Sequence, residues 1–86
     1  IASHDSTHAP LIRECVAAGK PVLCEKPLAP SLQEASDLLV DIGSTGADLV
    51  SLGFMRRFDQ GYVAIRDLLD SGDIGRALVA HAVTAG

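Results

Sequence analysis

Three stretches of this 86-residue chain place side chains where they could do chemistry. Cys24-Glu25-Lys26-Pro27-Leu28 sets a carboxylate beside an ammonium immediately after an apolar run, Val22-Leu23-Cys24. Read as the carboxyl end of a buried strand, this is the edge where open α/β sheets bind ligands. A partly desolvated lysine there can hydrogen-bond a substrate oxygen and favour negative charge developing on it. Pro27 restricts Lys26 to extended backbone, limiting where the ammonium points, and admits a cis bond. A surface turn carrying a solvated Glu-Lys pair is the plainer alternative.

The second stretch is Ser3-His4-Asp5-Ser6-Thr7-His8, polar and rich in capping side chains. Its two histidines differ from the zincin H-E-x-x-H only by Asp for Glu. That motif needs both rings on one continuous helix face, whereas Ser6, Thr7 and Pro10 put a helix start between or just after them, so no metal site is expected. A loop feeding a helix start suits a phosphate, ribose or amide contact, with a capping loop and solvated histidines as the alternative. Third, Met55-Arg56-Arg57 follows another apolar run. One arginine could reach a polyhydroxy or anionic ligand; both could equally face water. Met55 and His81 read first as packing residues.

The elements that must hold these groups alternate. Ile1-Ala2 reads as the end of a strand. A helix follows with Thr7 as N-cap, Pro10 in its first turn, an apolar face of Leu11, Ile12, Cys15 and Val16, and Gly19 past its end. Val22-Leu23-Cys24 lacks alternation and predicts a strand covered on both faces. Ser31-Leu32-Gln33-Glu34 is a capping box opening a helix with the stripe Leu32, Ala35, Leu38, Leu39 and Ile42, closed by Gly43 and Gly46. Residues 49–54 read as a third strand. Asp59 caps a helix whose buried face is Tyr62, Ile65, Leu68 and Leu69, and residues 77–85 read as a fourth strand with Val79, His81 and Val83 on one face. The order β-α-β-α-β-α-β argues for parallel strands with crossover helices, an α/β class.

Composition narrows the function. Hydrophobic residues make up 48%, charged ones 21%, and the net charge is −4. With no basic run beyond Arg56-Arg57, neither nucleic acid nor an anionic membrane is an expected partner. No segment approaches the roughly 20 apolar residues of a membrane span, and no charged-then-apolar leader opens the chain. Cys15 and Cys24 lack zinc or redox spacing, which fits a reducing cytoplasm. Both ends fall on apparent strands whose ladder partners are missing, so the chain reads as an internal piece of a longer one. There is no G-x-G-x-x-G, so any pyrophosphate loop is expected outside it.

Taken together, Ser3-His4-Asp5-Ser6-Thr7-His8, Ala18-Gly19-Lys20-Pro21-Val22 and Glu25-Lys26-Pro27-Leu28 resemble the Gfo/Idh/MocA oxidoreductases, NAD(P)-dependent enzymes acting on sugars, cyclitols and related compounds. The run from Gly53 to Tyr62 (Gly-Phe-Met-Arg-Arg-Phe-Asp-Gln-Gly-Tyr) is similar to the inositol dehydrogenases within that family. The resemblance implies that residues 1–55 are the C-terminal part of an NAD(P)-binding Rossmann domain and that residues 56–86 begin an α+β substrate domain with its first helix and strand. It implies Lys26 as the catalytic lysine, bonded to the hydroxyl being oxidised. It also implies Glu25 beside the nicotinamide ribose, Ser3, His4 and Asp5 in the cofactor-contacting turn, and His8 supporting that turn. Met55 and Arg56 match positions lining the substrate pocket, alongside Lys26. The cofactor implied is NAD, with NADP open because the deciding residue lies upstream. The partner implied is a small polyol, in a homo-tetramer. A further catalytic pair, an Asp and a His four residues apart, is expected beyond residue 86, so the piece alone is expected to be inactive. Another sugar or inositol isomer as substrate, or a non-catalytic dinucleotide sensor of the same fold, are the alternatives; a sensor has no chemical need of Lys26.

Overall fold

A computed structural model describes residues 1–85. Contacts divide the chain into two compact units, Ile1–Phe54 and the residues from Met55 onward.

In the first unit, a 3₁₀ turn at Asp5–Thr7 leads into α1 (His8–Ala17), followed by β1 (Val22–Cys24), α2 (Leu32–Ala47) and β2 (Val50–Leu52). The two strands pair in parallel, Val22 opposite Val50 and Cys24 opposite Leu52. The ladder runs past both strand ends, with Val22 N–H donating to Leu49 O (2.7 Å) and Gly53 N–H donating to Cys24 O (2.8 Å). Ile1 completes the arrangement: its amino group donates to Leu23 O (2.6 Å) and its carbonyl accepts from Glu25 N–H (2.9 Å). Those two bonds form one rung of a parallel ladder. They use the β1 groups that point away from β2, so Ile1 lies along the opposite edge and β1 is central. The expected strand end at Ile1 is therefore present as a single rung. This parallel α/β arrangement is that of a Rossmann-type domain.

Local chemistry explains the helices. α1 ends in a Schellman motif: Gly19 takes φ 67°, its N–H donates to Val16 O, and Lys20 N–H donates to Cys15 O. Thr7 does not cap α1 through its side chain; its hydroxyl donates instead to His4 O at 2.6 Å, and the 3₁₀ turn provides the entry. At α2, Ser31 Oγ accepts from Glu34 N–H (3.2 Å) and donates to the Glu34 carboxylate (2.9 Å), so the Ser and Glu of the capping box pair directly with each other. Gly43 (φ 66°, ψ −179°) breaks the helix, and a last short turn carries Gly46 into contact with α1. A Cβ on Gly46 would stand 2.8 Å from Val16 Cγ1 and 2.9 Å from Ile42 Cβ.

The core joins Ala9 and Ile12 of α1, Val22 and Cys24 of β1, Ala29, and Leu38 of α2. Only one face of β1 is covered. Val22 and Cys24 are buried, while Leu23 between them is 64% exposed, contrary to the expectation of a doubly covered strand. The apolar run records that both faces can be buried, but in this chain the core residues of α1 and α2 lie on the Val22–Cys24 face alone.

The second unit holds a 3₁₀ turn at Met55–Arg57 and α3 (Gln60–Ser71). Asp59 caps α3, its carboxylate accepting from Gly61 and Tyr62 N–H, and Gly72 in the left-handed region (φ 80°) ends it. The stripe read as buried is not: Tyr62, Ile65, Leu68 and Leu69 are 38–57% exposed. Residues 77–85, read as a strand, form none. A strand exists only through ladder bonds to a neighbour, and no partner pairs with these residues among those described. Residue 86, the last of the expected second domain, lies outside the described residues. Among the described residues no helix is long and apolar enough to cross a membrane.

Candidate functional site

In a parallel sheet every strand delivers its following loop to the same edge. Here that edge receives the Ala2–Thr7 loop after Ile1, Glu25 and Lys26 after β1, and Gly53 after β2. The sequence-derived residues Ser3, His4, Asp5, Glu25 and Lys26 are thus assembled at one carboxyl edge, as ligand sites of open α/β sheets require. All five are exposed at it. Lys26 is exposed rather than partly desolvated, so its ammonium is free to meet a ligand; its peptide bond to Pro27 is cis.

The first loop is internally bonded. His4 Nδ1 accepts from Ser6 N–H at 3.3 Å and lies 2.9 Å from the Ser6 hydroxyl. Ser3 Oγ meets Thr7 Oγ1 at 2.5 Å. Because the single Thr7 hydroxyl hydrogen is committed to His4 O, Ser3 is the donor of that pair. Asp5 keeps its carboxylate free of hydrogen bonds among the described residues.

His8 is arranged differently from His4. Its ring is 1% exposed, the one polar side chain buried in the core among the described residues. Nδ1 lies 2.6 Å from Pro27 O and Nε2 lies 3.0 Å from Ser3 O. The two histidines therefore do not share a ligand-facing surface, and among the described residues no group of three or more His, Cys, Asp and Glu side chains could hold a metal ion.

Glu25 lies over Gly53. A Cβ built on Gly53 would be 3.1 Å from the Glu25 carboxylate carbon and both its oxygens. Any side chain at residue 53 thus pushes on the carboxylate, and the glycine keeps the place it occupies open. Neither this contact nor that between His8 and Pro27 is signalled by adjacent residues. The signal for His8 was its spacing to Ile12 and Cys15, which puts it on the buried face of α1.

Cys24 ends β1 beneath this edge, fully buried, with its thiol donating to Glu25 O at 3.2 Å. Burial pushes its pKa above the ordinary thiol value. The thiol therefore stays protonated and inert at neutral pH.

Met55 and Arg56 belong to the second unit, on its 3₁₀ turn. Arg56 pairs with Asp59 at 3.7 Å and lies over the Tyr62 ring, 5.2 Å from its centroid. Arg56, Arg57, Phe58, Tyr62, Val63 and Arg66 line an open hollow in this unit, with three guanidinium groups and two aromatic rings on its wall.

The exposed hydroxyl, imidazole and carboxylate groups of the first unit can donate to and accept from the hydroxyls and amides of a nucleotide cofactor, while no glycine-rich loop among these residues could cradle a pyrophosphate.

Comparisons with known proteins identify the family. The sequence profile of the Gfo/Idh/MocA family, described as an oxidoreductase family with an NAD-binding Rossmann fold, matches residues 1–54. Inositol 2-dehydrogenase 2 of Paenarthrobacter aurescens is 52% identical over 98% of this chain and 26% of its own length. Inositol 2-dehydrogenase 2 of Saccharopolyspora erythraea is 49% identical over 96% of this chain and 24% of its own. The crystal structure of a myo-inositol dehydrogenase from Corynebacterium glutamicum superposes with a TM-score of 0.80 at 40% identity, covering 86% of this chain and 22% of that one. The chain thus spans about a quarter of the length of the curated relatives it matches. With its parallel sheet, its Glu25-Lys26-Pro27 edge and this match over the whole first unit, the chain belongs to the Gfo/Idh/MocA family of NAD-binding Rossmann-fold oxidoreductases.

Proposed function

We propose that this chain is part of an NAD(P)-dependent dehydrogenase that oxidises a secondary hydroxyl of a cyclitol or sugar, with inositol as the first substrate to test. The observation that carries the reading is the common edge: Lys26 and Glu25 leave β1 beside the turn of Ser3, His4 and Asp5. Residues 1–55 are then the C-terminal part of the cofactor domain, and residues 56–86 open the substrate domain.

When bound, the nicotinamide supplies the acceptor for the hydride that leaves the carbinol carbon. Lys26 hydrogen-bonds the hydroxyl of that carbon. The hydroxyl proton passes to a base supplied by the rest of the enzyme. As it leaves, negative charge grows on the oxygen, the Lys26 ammonium stabilises that charge more than it stabilises the neutral hydroxyl, and the oxygen's electron pair forms the C=O bond as hydride departs. Glu25, in the space that Gly53 leaves open, would accept from ribose hydroxyls, and Ser3, His4 and Asp5 would hold the same end of the cofactor. Met55 and Arg56 line the polyol side, where the guanidinium offers the several N–H donors that suit adjacent hydroxyls. The cofactor is NAD or NADP, the assembly a homo-tetramer, and the isolated 86-residue piece is without turnover.

The test is reduction of NAD by the full-length enzyme with myo-inositol. Lys26→Ala is expected to lower kcat by about 10²- to 10³-fold, as removal of one transition-state contact does, and to change the Kd for NAD far less. Equal losses in both would move Lys26 to cofactor binding, and unchanged kcat would end its catalytic assignment.

A further inference from the structure

His8 touches two loops that are distant in sequence. It opens α1, yet its ring nitrogens face Ser3 O, in the loop after Ile1, and Pro27 O, in the loop after β1. Both partners are carbonyl oxygens, so each ring nitrogen meets an acceptor from a different loop. His8 itself is 1% exposed, so its ring is turned away from solvent and toward these two carbonyls. Pro27 has no N–H of its own, and its carbonyl directly follows Lys26 in the chain.

We propose that His8 is a positioning residue: one buried imidazole straps the Ser3–Asp5 turn to the Lys26-Pro27 loop, so that the cofactor contacts and the lysine ammonium are held in one geometry. The role rests on the proposed function of Lys26; the strap itself does not. The ring is the mechanical link between two loops that approach the same edge from different strands. Among the described hydrogen bonds, losing it leaves only the Ile1 rung at the base of the two loops to join them.

Two readouts test this in the full-length enzyme. Without cofactor, His8→Leu is expected to speed amide hydrogen exchange about tenfold or more in residues 2–7 and 25–29 together, with α2 unchanged. Acceleration in one loop only, or in neither, overturns the strap. With saturating NAD and myo-inositol, the same substitution is expected to lower kcat about 10- to 100-fold while the polyol KM stays within about threefold, the pattern of a misplaced catalytic group. That loss is expected to vanish in a Lys26→Ala background, because both changes remove one contact; losses that multiply instead place the effect of His8 elsewhere and overturn the role. His8→Gln keeps a side-chain donor and should recover part of kcat, and it serves for both readouts if the leucine variant does not fold. Undiminished kcat in His8→Leu, beside a crippled Lys26→Ala, removes the positioning role alone. Undiminished kcat in Lys26→Ala removes the functional reading and the positioning role with it, while the exchange experiment still decides the strap.

Discussion

The two units of this chain have comparable local signals and very different interiors. In the first, Ile12, Leu38 and Cys24 are fully buried and His8 nearly so; in the second, no residue of α3 is buried. Yet α3 is the better capped helix. Asp59 accepts from two backbone N–H groups and Gly72 ends the helix in the left-handed region, whereas the residue ahead of α1 makes no side-chain cap. Caps and propensity decide where a helix begins and ends; a core decides whether it is anchored.

The comparison is broken most directly by removing core volume. In the 86-residue chain, Ile12→Ala is expected to cost about 2–5 kcal/mol of unfolding free energy in urea titration, while Ile65→Ala, on the exposed stripe of α3, stays within about 0.5 kcal/mol. Similar costs at both positions would mean that the α3 stripe is covered in solution.

Gly46→Ala tests close approach rather than volume. With Val16 Cγ1 at 2.8 Å from the new Cβ, about 1–3 kcal/mol of destabilisation is expected. A neutral result would show that α1 and α2 can separate without loss.

Asp59→Ala sharpens the other side. Without a core to hold α3, losing the cap is expected to remove about 0.5–2 kcal/mol from that helix alone, read as lost helical ellipticity with the first unit's melting unchanged.

The smallest effect concerns Cys24. Its folded pKa lies above the ordinary thiol value of 9.0, so in alkali the folded state binds more protons than the unfolded chain. Stability from the protonated thiol is intact below pH 9.0 and declines as pH rises from there toward the folded pKa. Thermal melts should show that decline only above that point, and Cys24→Ala should remove it. Alkylation of Cys24 at neutral pH should track unfolding.

Much of the candidate site was legible because it is written in adjacent residues. Glu25-Lys26-Pro27 and the Ser3–His8 run carry their chemistry locally, and an apolar run before each polar loop places it at a strand's end. Their assembly on one edge then follows from parallel pairing. The capping box at Ser31 and the glycine ends at Gly19 and Gly72 were legible for the same reason, since each is made by bonds within a few residues.

The misreadings share the opposite cause. Residues 77–85 have a strand's composition but no ladder among the described residues. The apolar faces of Leu23 and of Tyr62, Ile65, Leu68 and Leu69 state a capacity for burial without naming what covers them. His8 was read as a support for its own turn; its bond to Pro27, nineteen residues away, depends on how α1 lies against β1. The contact of Glu25 with Gly53 likewise needs β1 and β2 in register.

What neighbours along the chain decide was therefore readable: the order of elements as far as α3, the caps at Ser31 and Asp59, and the glycine ends at Gly19 and Gly72. Which apolar faces are buried, which loops share an edge and which ring ties them together were decided only in the tertiary structure. Burial and long-range hydrogen bonds are properties of pairs of surfaces, and a single stretch of chain specifies only one member of each pair.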